Sequence, residues 1–173
     1  MQEIRLTPAS YIVLGLLSWT GEATTPYRLK QLVASSVGFF WSLQHAQLYT
    51  EPERLARAGY VSERREEGGR RRKQYALTDK GAEALAEWRA EPTAQLSEVR
   101  DLGLLKLFFG ADAAALADAQ LEAHRAEFAE YEGIRAGLPE DVPEGPRLAL
   151  ELGMRQARTW IEFWEELADR QPG

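Results

Sequence analysis

The chain contains no cysteine. This excludes a disulfide framework and thiolate metal sites, and it removes one of the commonest catalytic nucleophiles. Histidine is scarce: only His45 and His124 occur, one in each half. No Gly-rich phosphate loop or His-rich metal motif is present, and Glu122-Ala123-His124 has the wrong spacing for the Glu-x-x-His pairs of a helical di-metal site. No enzyme activity, metal or cofactor is therefore expected. Long apolar runs are missing too. The stretch from Tyr11 to Trp19 falls well short of the roughly 20 residues a membrane span needs. Glu3, Arg5 and Glu22 flank it in a pattern unlike a secretory leader. The expectation is a soluble, cytoplasmic protein with no membrane partner.

What is present is a sizeable apolar fraction, 45% of 173 residues, enough to bury a core. The net charge of −6 is unevenly spread. Residues 1–90 carry 13 Lys and Arg against 10 Asp and Glu, net +3; residues 91–173 carry 8 against 17, net −9. A mildly basic half joined to an acidic half points to two tasks. We place the boundary between a domain of residues 1–91 and one of residues 92–173.

Thr7-Pro8 and Thr25-Pro26 each combine a capping side chain with a proline tolerated in the first turn, so each opens a helix. The first, with Tyr11 to Trp19, is apolar nearly all round and is expected to be buried, with Trp19 in the core. Ser35 to Gly38 ends the second, and Trp41 is expected to pack near a third. Ser42 is read as the cap of that third helix, running through Leu43, Leu48 and Leu55 to Gly59. Pro52 cannot donate to the Leu48 carbonyl, which predicts a kink or break at residues 48–52, with Ser42 to Thr50 as a separate segment. The period then changes to that of strands at Tyr60–Arg65 and Lys73–Leu77, separated by a Gly68-Gly69 turn. Thr78 caps a fourth helix from Asp79 to about Ala90.

The second half is helical in pattern. Leu96, Val99, Leu104, Leu105, Leu107, Phe108 and Phe109 form an apolar segment ended by Gly110, and Asp112 caps the next helix. Ala117, Leu121, His124, Phe128 and Tyr131 make one seam; Leu150, Gly153, Ala157, Trp160, Trp164 and Leu167 make another. Two such seams joined by the Gly137–Pro146 break predict an antiparallel helical hairpin. The fold class expected is mainly α with a small β-hairpin wing: a winged helix-turn-helix followed by a C-terminal antiparallel helical domain. The seams offer more apolar surface than one hairpin is expected to hide. Leu121, Phe128, Tyr131, Trp160, Trp164 and Leu167 are thus the dimerisation candidates of a homodimer.

This element order carries a chemistry. A helix on a small three-helix core can enter the DNA major groove while a hairpin reaches the adjoining backbone. Residues 64–73 hold six cations, Arg64, Arg65, Arg70, Arg71, Arg72 and Lys73, around two glycines. A basic run by itself is usually a solvated face; its place after a recognition helix favours contact with double-stranded DNA. Arg64, Arg70, Arg71, Arg72 and Lys73 are assigned to phosphates. Ser42, Gln44, His45, Gln47, Tyr49 and Thr50 are the polar groups available to base edges, although Tyr49 can equally be half-buried core. The competing reading is a winged-helix protein-interaction module with an acidic helical docking face.

Several segments together resemble the PadR family of bacterial transcriptional regulators. They are Leu6-Thr7-Pro8, Tyr27-Arg28-Leu29-Lys30, Gln47-Leu48-Tyr49, Gly59-Tyr60-Val61, the Gly68–Tyr75 wing and Leu77-Thr78-Asp79-Lys80-Gly81. Leu105 to Gly110 and Leu148 to Trp164 are similar to the C-terminal helical domain of its longer members. The resemblance implies a homodimeric repressor released by a small, often aromatic, effector. It also makes Trp88 the effector-binding candidate, because members use aromatic residues there to stack planar ligands. Thr25-Pro26 stands where many members have His-Gly, and Thr50 follows Tyr49 where many have proline. No operator sequence therefore carries over. His124 reads as a hydrogen-bonded core or interface histidine, with a pH or ligand sensor as the sharper alternative.

Overall fold

The computed structural model describes residues 4–65 and 72–169. Its contacts divide the chain into two compact units, Met1–Gln95 and Leu96–Gly173. The first contains α1 (Pro8–Thr20), α2 (Pro26–Ala34), a 3-10 turn at Val37–Phe39, α3 (Gln47–Arg57), β1 (Val61–Arg65), β2 (Lys73–Leu77) and α4 (Asp79–Ala90). The second contains α5 (Leu102–Phe108), α6 (Ala113–Gly137) and α7 (Glu144–Ala168). This is a winged helix-turn-helix and a helical domain. Among the described residues no helix is long and apolar enough to cross a membrane.

Local chemistry sets most boundaries. Pro8 and Pro26 start α1 and α2, and the Thr25 hydroxyl accepts the Arg28 N–H at 3.2 Å. Gly21 ends α1 at φ 64°, a conformation that costs a residue with a Cβ. The Thr78 hydroxyl accepts the Gly81 N–H at 3.2 Å and donates toward the carbonyls of Gly59 and Tyr60, each at 2.8 Å. It thereby caps α4 and ties it to the residues before β1. Asp101 and Asp112 cap α5 and α6.

The first core joins Val13, Leu14, Leu16 and Leu17 of α1 to Leu29 and Val33 of α2, Leu48 and Leu55 of α3, then Val61, Tyr75 and Leu85. Trp19 does not join it; it is 54% exposed. It follows Leu17 by two residues, about 200° around the helix, so α1 buries one face and not its whole circumference. Trp41 is likewise half-exposed. The hairpin is antiparallel, with Val61 opposite Leu77, Glu63 opposite Tyr75 and Arg65 opposite Lys73.

The third helix differs from the sequence expectation. It begins at Gln47, and Ser42, Gln44 and His45 precede it. It also runs unbroken through Pro52, whose ring is buried. The late start places Pro52 in the second turn, where losing one donor to the Leu48 carbonyl does not split the helix. Leu96 and Val99, which open the apolar segment that ends at Gly110, are exposed and outside regular structure; the helix of that segment is α5.

In the second unit α6 and α7 pack antiparallel. Arg125 meets Glu165 at 2.7 Å, the His124 ring stacks on Trp160, and the Tyr131 ring lies against Gly153, where an added Cβ would sit 3.3 Å from it. The two seams close on each other within one chain. Leu121, Tyr131, Trp164 and Leu167 are buried, and Phe128 and Trp160 are partly buried. The dimerisation candidates thus lie at the contact between the two helices of one chain, with Phe128 under Arg158 and Trp160 beside His124. Exposed apolar groups lie elsewhere, on α5, where Phe108 is 82% and Phe109 at its end 77% exposed, beside exposed Leu102 and Leu105.

Candidate nucleic-acid interface

The amphipathic spacing of α3 sends Leu48, Glu51, Pro52 and Leu55 inward and leaves Gln47, Tyr49, Thr50 and Arg57 outward. Gln47 is not idle: its side-chain oxygen accepts the Gln44 N–H at 3.1 Å. It closes the turn that leads into the helix, as the returning half of a capping box does. The Thr50 hydroxyl donates to the Ala46 carbonyl at 3.1 Å. Ser42, Gln44 and His45 are exposed just ahead of the helix. The expected reading residues thus fall into a pre-helical turn and the first turn of α3.

A buried network absent from the sequence reading orients α3. The Ser10 hydroxyl of α1 donates to Glu51 Oε1 at 2.5 Å and accepts from Arg54 Nη2 at 2.9 Å and from the Thr7 N–H at 2.8 Å. Arg54 also holds Glu51 through Nε at 2.9 Å and Nη2 at 2.6 Å, and reaches the Arg5 carbonyl at 3.2 Å. Burial pushes the Glu51 carboxyl up, but the hydrogen bonds from Arg54 and Ser10 outweigh it and leave the group below its ordinary range. The Glu51-x-x-Arg54 spacing was a visible signal for the ion pair; the Ser10 contact, 41 residues away in sequence, was not.

On the wing, Arg64 and Arg72 are exposed. Lys73, expected on phosphate, is instead held by carboxylates: its Nζ lies 2.6 Å from Glu53 Oε1 on α3 and 3.5 Å from Glu63 Oε2 on β1. Arg70 and Arg71 lie outside the described residues. Tyr27 and Arg28, exposed at the start of α2, and Arg57 on α3 are candidates that the sequence reading passed over. Their signal was position: in a helix-turn-helix the helix before the recognition helix crosses the backbone.

Trp88 is 46% exposed on α4, and one face of its indole stacks on Tyr11 of α1, centroids 4.5 Å apart and rings 9° from parallel. Beside the pair lies an open cavity of about 540 Å³, with Leu6, Tyr60, Glu87 and Glu91 on its walls. Burial, then the carboxylates of Glu91 and Glu87, raise the Tyr11 phenol. In the other unit the His124 Nδ1 is 3.4 Å from Glu127, and its Nε2 is buried without a hydrogen-bond partner among the described residues. The Tyr131 phenol, donating to Glu127 at 3.1 Å, is pushed up to about 12 by burial and then by that carboxylate. Among the described residues no cluster of three His, Asp or Glu is placed to hold a metal.

Comparison with known proteins covers both units. The model of the transcriptional regulator PadR-like family matches residues 13–87, and that of the virulence activator alpha C-terminal region matches residues 99–170. The negative transcriptional regulator PadR of Bacillus subtilis is 30% identical over 130 residues, 71% of this chain and 70% of that protein. Its crystal structure in complex with operator DNA superposes with a TM-score of 0.79 at 24% identity, over 92% of this chain and 96% of that one. Its complex with p-coumaric acid gives 0.75 at 23% identity, over 95% and 97%.

Proposed function

Because the chain belongs to the PadR-like family of transcriptional regulators, we propose that it is a sequence-specific DNA-binding repressor of the cytoplasm, without catalytic activity, working as a homodimer released by a small aromatic effector. The observation that carries the DNA-binding reading is the polar first turn of α3, held at a set angle by the Ser10–Glu51–Arg54 network and followed by a wing with exposed Arg64 and Arg72. Ser42, Gln44, His45, Gln47, Tyr49 and Thr50 read the groove; Arg64, Arg70, Arg71 and Arg72 hold phosphates. The effector reading rests on the cavity that Trp88 helps to line and on its half-exposed indole. The dimer reading rests on the exposed apolar groups of α5.

Duplexes selected from a random pool and titrated by fluorescence anisotropy at several salt concentrations test the main claim. A selected duplex should bind far more tightly than its scrambled counterpart, with affinity falling steeply as salt rises. Equal, weak binding to both would overturn the assignment and leave a protein-docking module as the better account.

A further inference from the structure

We propose that Lys73 is a positioning residue, whose clamp between Glu53 and Glu63 sets the angle between the wing and the recognition helix. The proposal rests on the DNA-binding reading above. Strand alternation places Glu63, Arg65, Lys73 and Tyr75 on one face of the hairpin and Arg64 and Gln74 on the other. On the first face, the Lys73 ammonium joins Glu53 of α3 to Glu63 of β1, and Glu63 also accepts the Tyr75 hydroxyl at 3.3 Å. Tyr75 is fully buried and exchanges both backbone hydrogen bonds with Thr24, at 2.8 and 2.9 Å, just ahead of α2. The base of the wing is therefore held from two sides, by backbone pairing near α2 and by the ammonium on α3.

A two-stranded hairpin is marginal alone and takes its orientation from such ties. A phosphate approaching Lys73 would meet two carboxylates already on the ammonium, and capturing it would mean surrendering α3. The same hydrogen bond lowers the Glu53 carboxyl and raises the Lys73 ammonium, so both stay charged near neutral pH. Partly exposed ion pairs add little to global stability. The consequence of this one is geometric: it fixes where the Arg64 face of the wing stands relative to Gln47 and Thr50.

The test compares the full-length wild type with Lys73→Gln, Lys73→Arg, Glu53→Gln, the Lys73→Gln/Glu53→Gln double variant and the charge-swapped Glu53→Lys/Lys73→Glu. Amide hydrogen exchange of residues 61–65 and 73–77 is measured without DNA, and duplex affinity is measured against salt. Lys73→Gln and Glu53→Gln should each speed wing exchange and weaken selected-duplex binding about tenfold with the salt slope unchanged. The double variant should be no worse than either single one, and Lys73→Arg and the charge swap should restore both readouts. The proposal is overturned if Glu53→Gln tightens DNA binding while Lys73→Gln lowers the salt slope by roughly 0.9, the signature of a lost phosphate contact. It is equally overturned if no variant changes wing exchange. A wild type that binds no duplex would sink the DNA-binding reading, and the exchange cycle would still decide the clamp.

Discussion

Gly81 shows how one missing atom lets two elements meet. A Cβ there would stand 2.1 Å from the Tyr60 carbonyl oxygen, a backbone atom that cannot swing aside. Gly81→Ala should therefore push α4 off the residues leading into β1 and cost about 1–3 kcal/mol, the usual range for overpacking. Urea denaturation checks this; an unchanged midpoint would mean that α4 slides freely. Glu51 makes a pH prediction. Its folded-state carboxyl lies below the ordinary value of 4.5, so its contribution is present above that value and is lost as pH falls through the folded one. Stability should drop on acidification below about pH 4.5, and Glu51→Gln should flatten that drop while lowering stability at neutral pH. Parallel curves for the two proteins would show that the Ser10–Glu51–Arg54 contacts carry no pH dependence.

At the scale of elements, α3 and the wing divide labour. The Gln47 side-chain oxygen already accepts the Gln44 N–H, so bidentate pairing with adenine would have to use its second lone pair or release that turn. Gln47→Glu keeps the acceptor and loses the amide donors; Gln47→Ala loses both. If Gln47 reads a base, both variants should lose about 1–3 kcal/mol at one operator position only. If it only shapes the turn, Gln47→Glu should bind like wild type. Arg64, on the face of the wing opposite Lys73, should behave as a phosphate contact. Arg64→Ala should weaken all duplexes alike and lower the salt slope by roughly 0.9. A sequence-dependent loss would reassign it to base reading.

Between whole chains, the α6 and α7 seams are largely closed on each other, and the apolar groups of α5 are the more exposed surface offered to a second chain. Phe108 and Phe109 are the most exposed large aromatics. Phe108→Glu/Phe109→Glu should turn a dimer into a monomer in light scattering while circular dichroism keeps its helix content. A dimer that survives would move the interface elsewhere. A ligand changes DNA affinity only through unequal binding to two states of the protein. Trp88→Ala should abolish ligand-induced release from DNA and spare DNA binding itself. Release that persists in the variant would remove Trp88 from the effector site.

Element order and most element ends follow from the sequence alone, because caps, prolines and hydrophobic period are local. Thr7-Pro8, Thr25-Pro26, Thr78 and Asp112 each stand where a helix begins. The change of period after Gly59 marks the hairpin, and the two 3.5-residue seams mark an antiparallel pair. Which surfaces are covered depends on how the elements pack. Trp19 looked like core because composition does not reveal which side of a helix faces inward. The α6 and α7 seams looked larger than one hairpin covers, because the area each helix takes from the other is set by their packing and not by their spacing in sequence. Lys73 looked like a free cation because Glu53 lies 20 residues away along the chain and 2.6 Å away in space. An ionic or apolar group contributes according to what stands within a few ångströms of it, and that distance is a property of the folded chain.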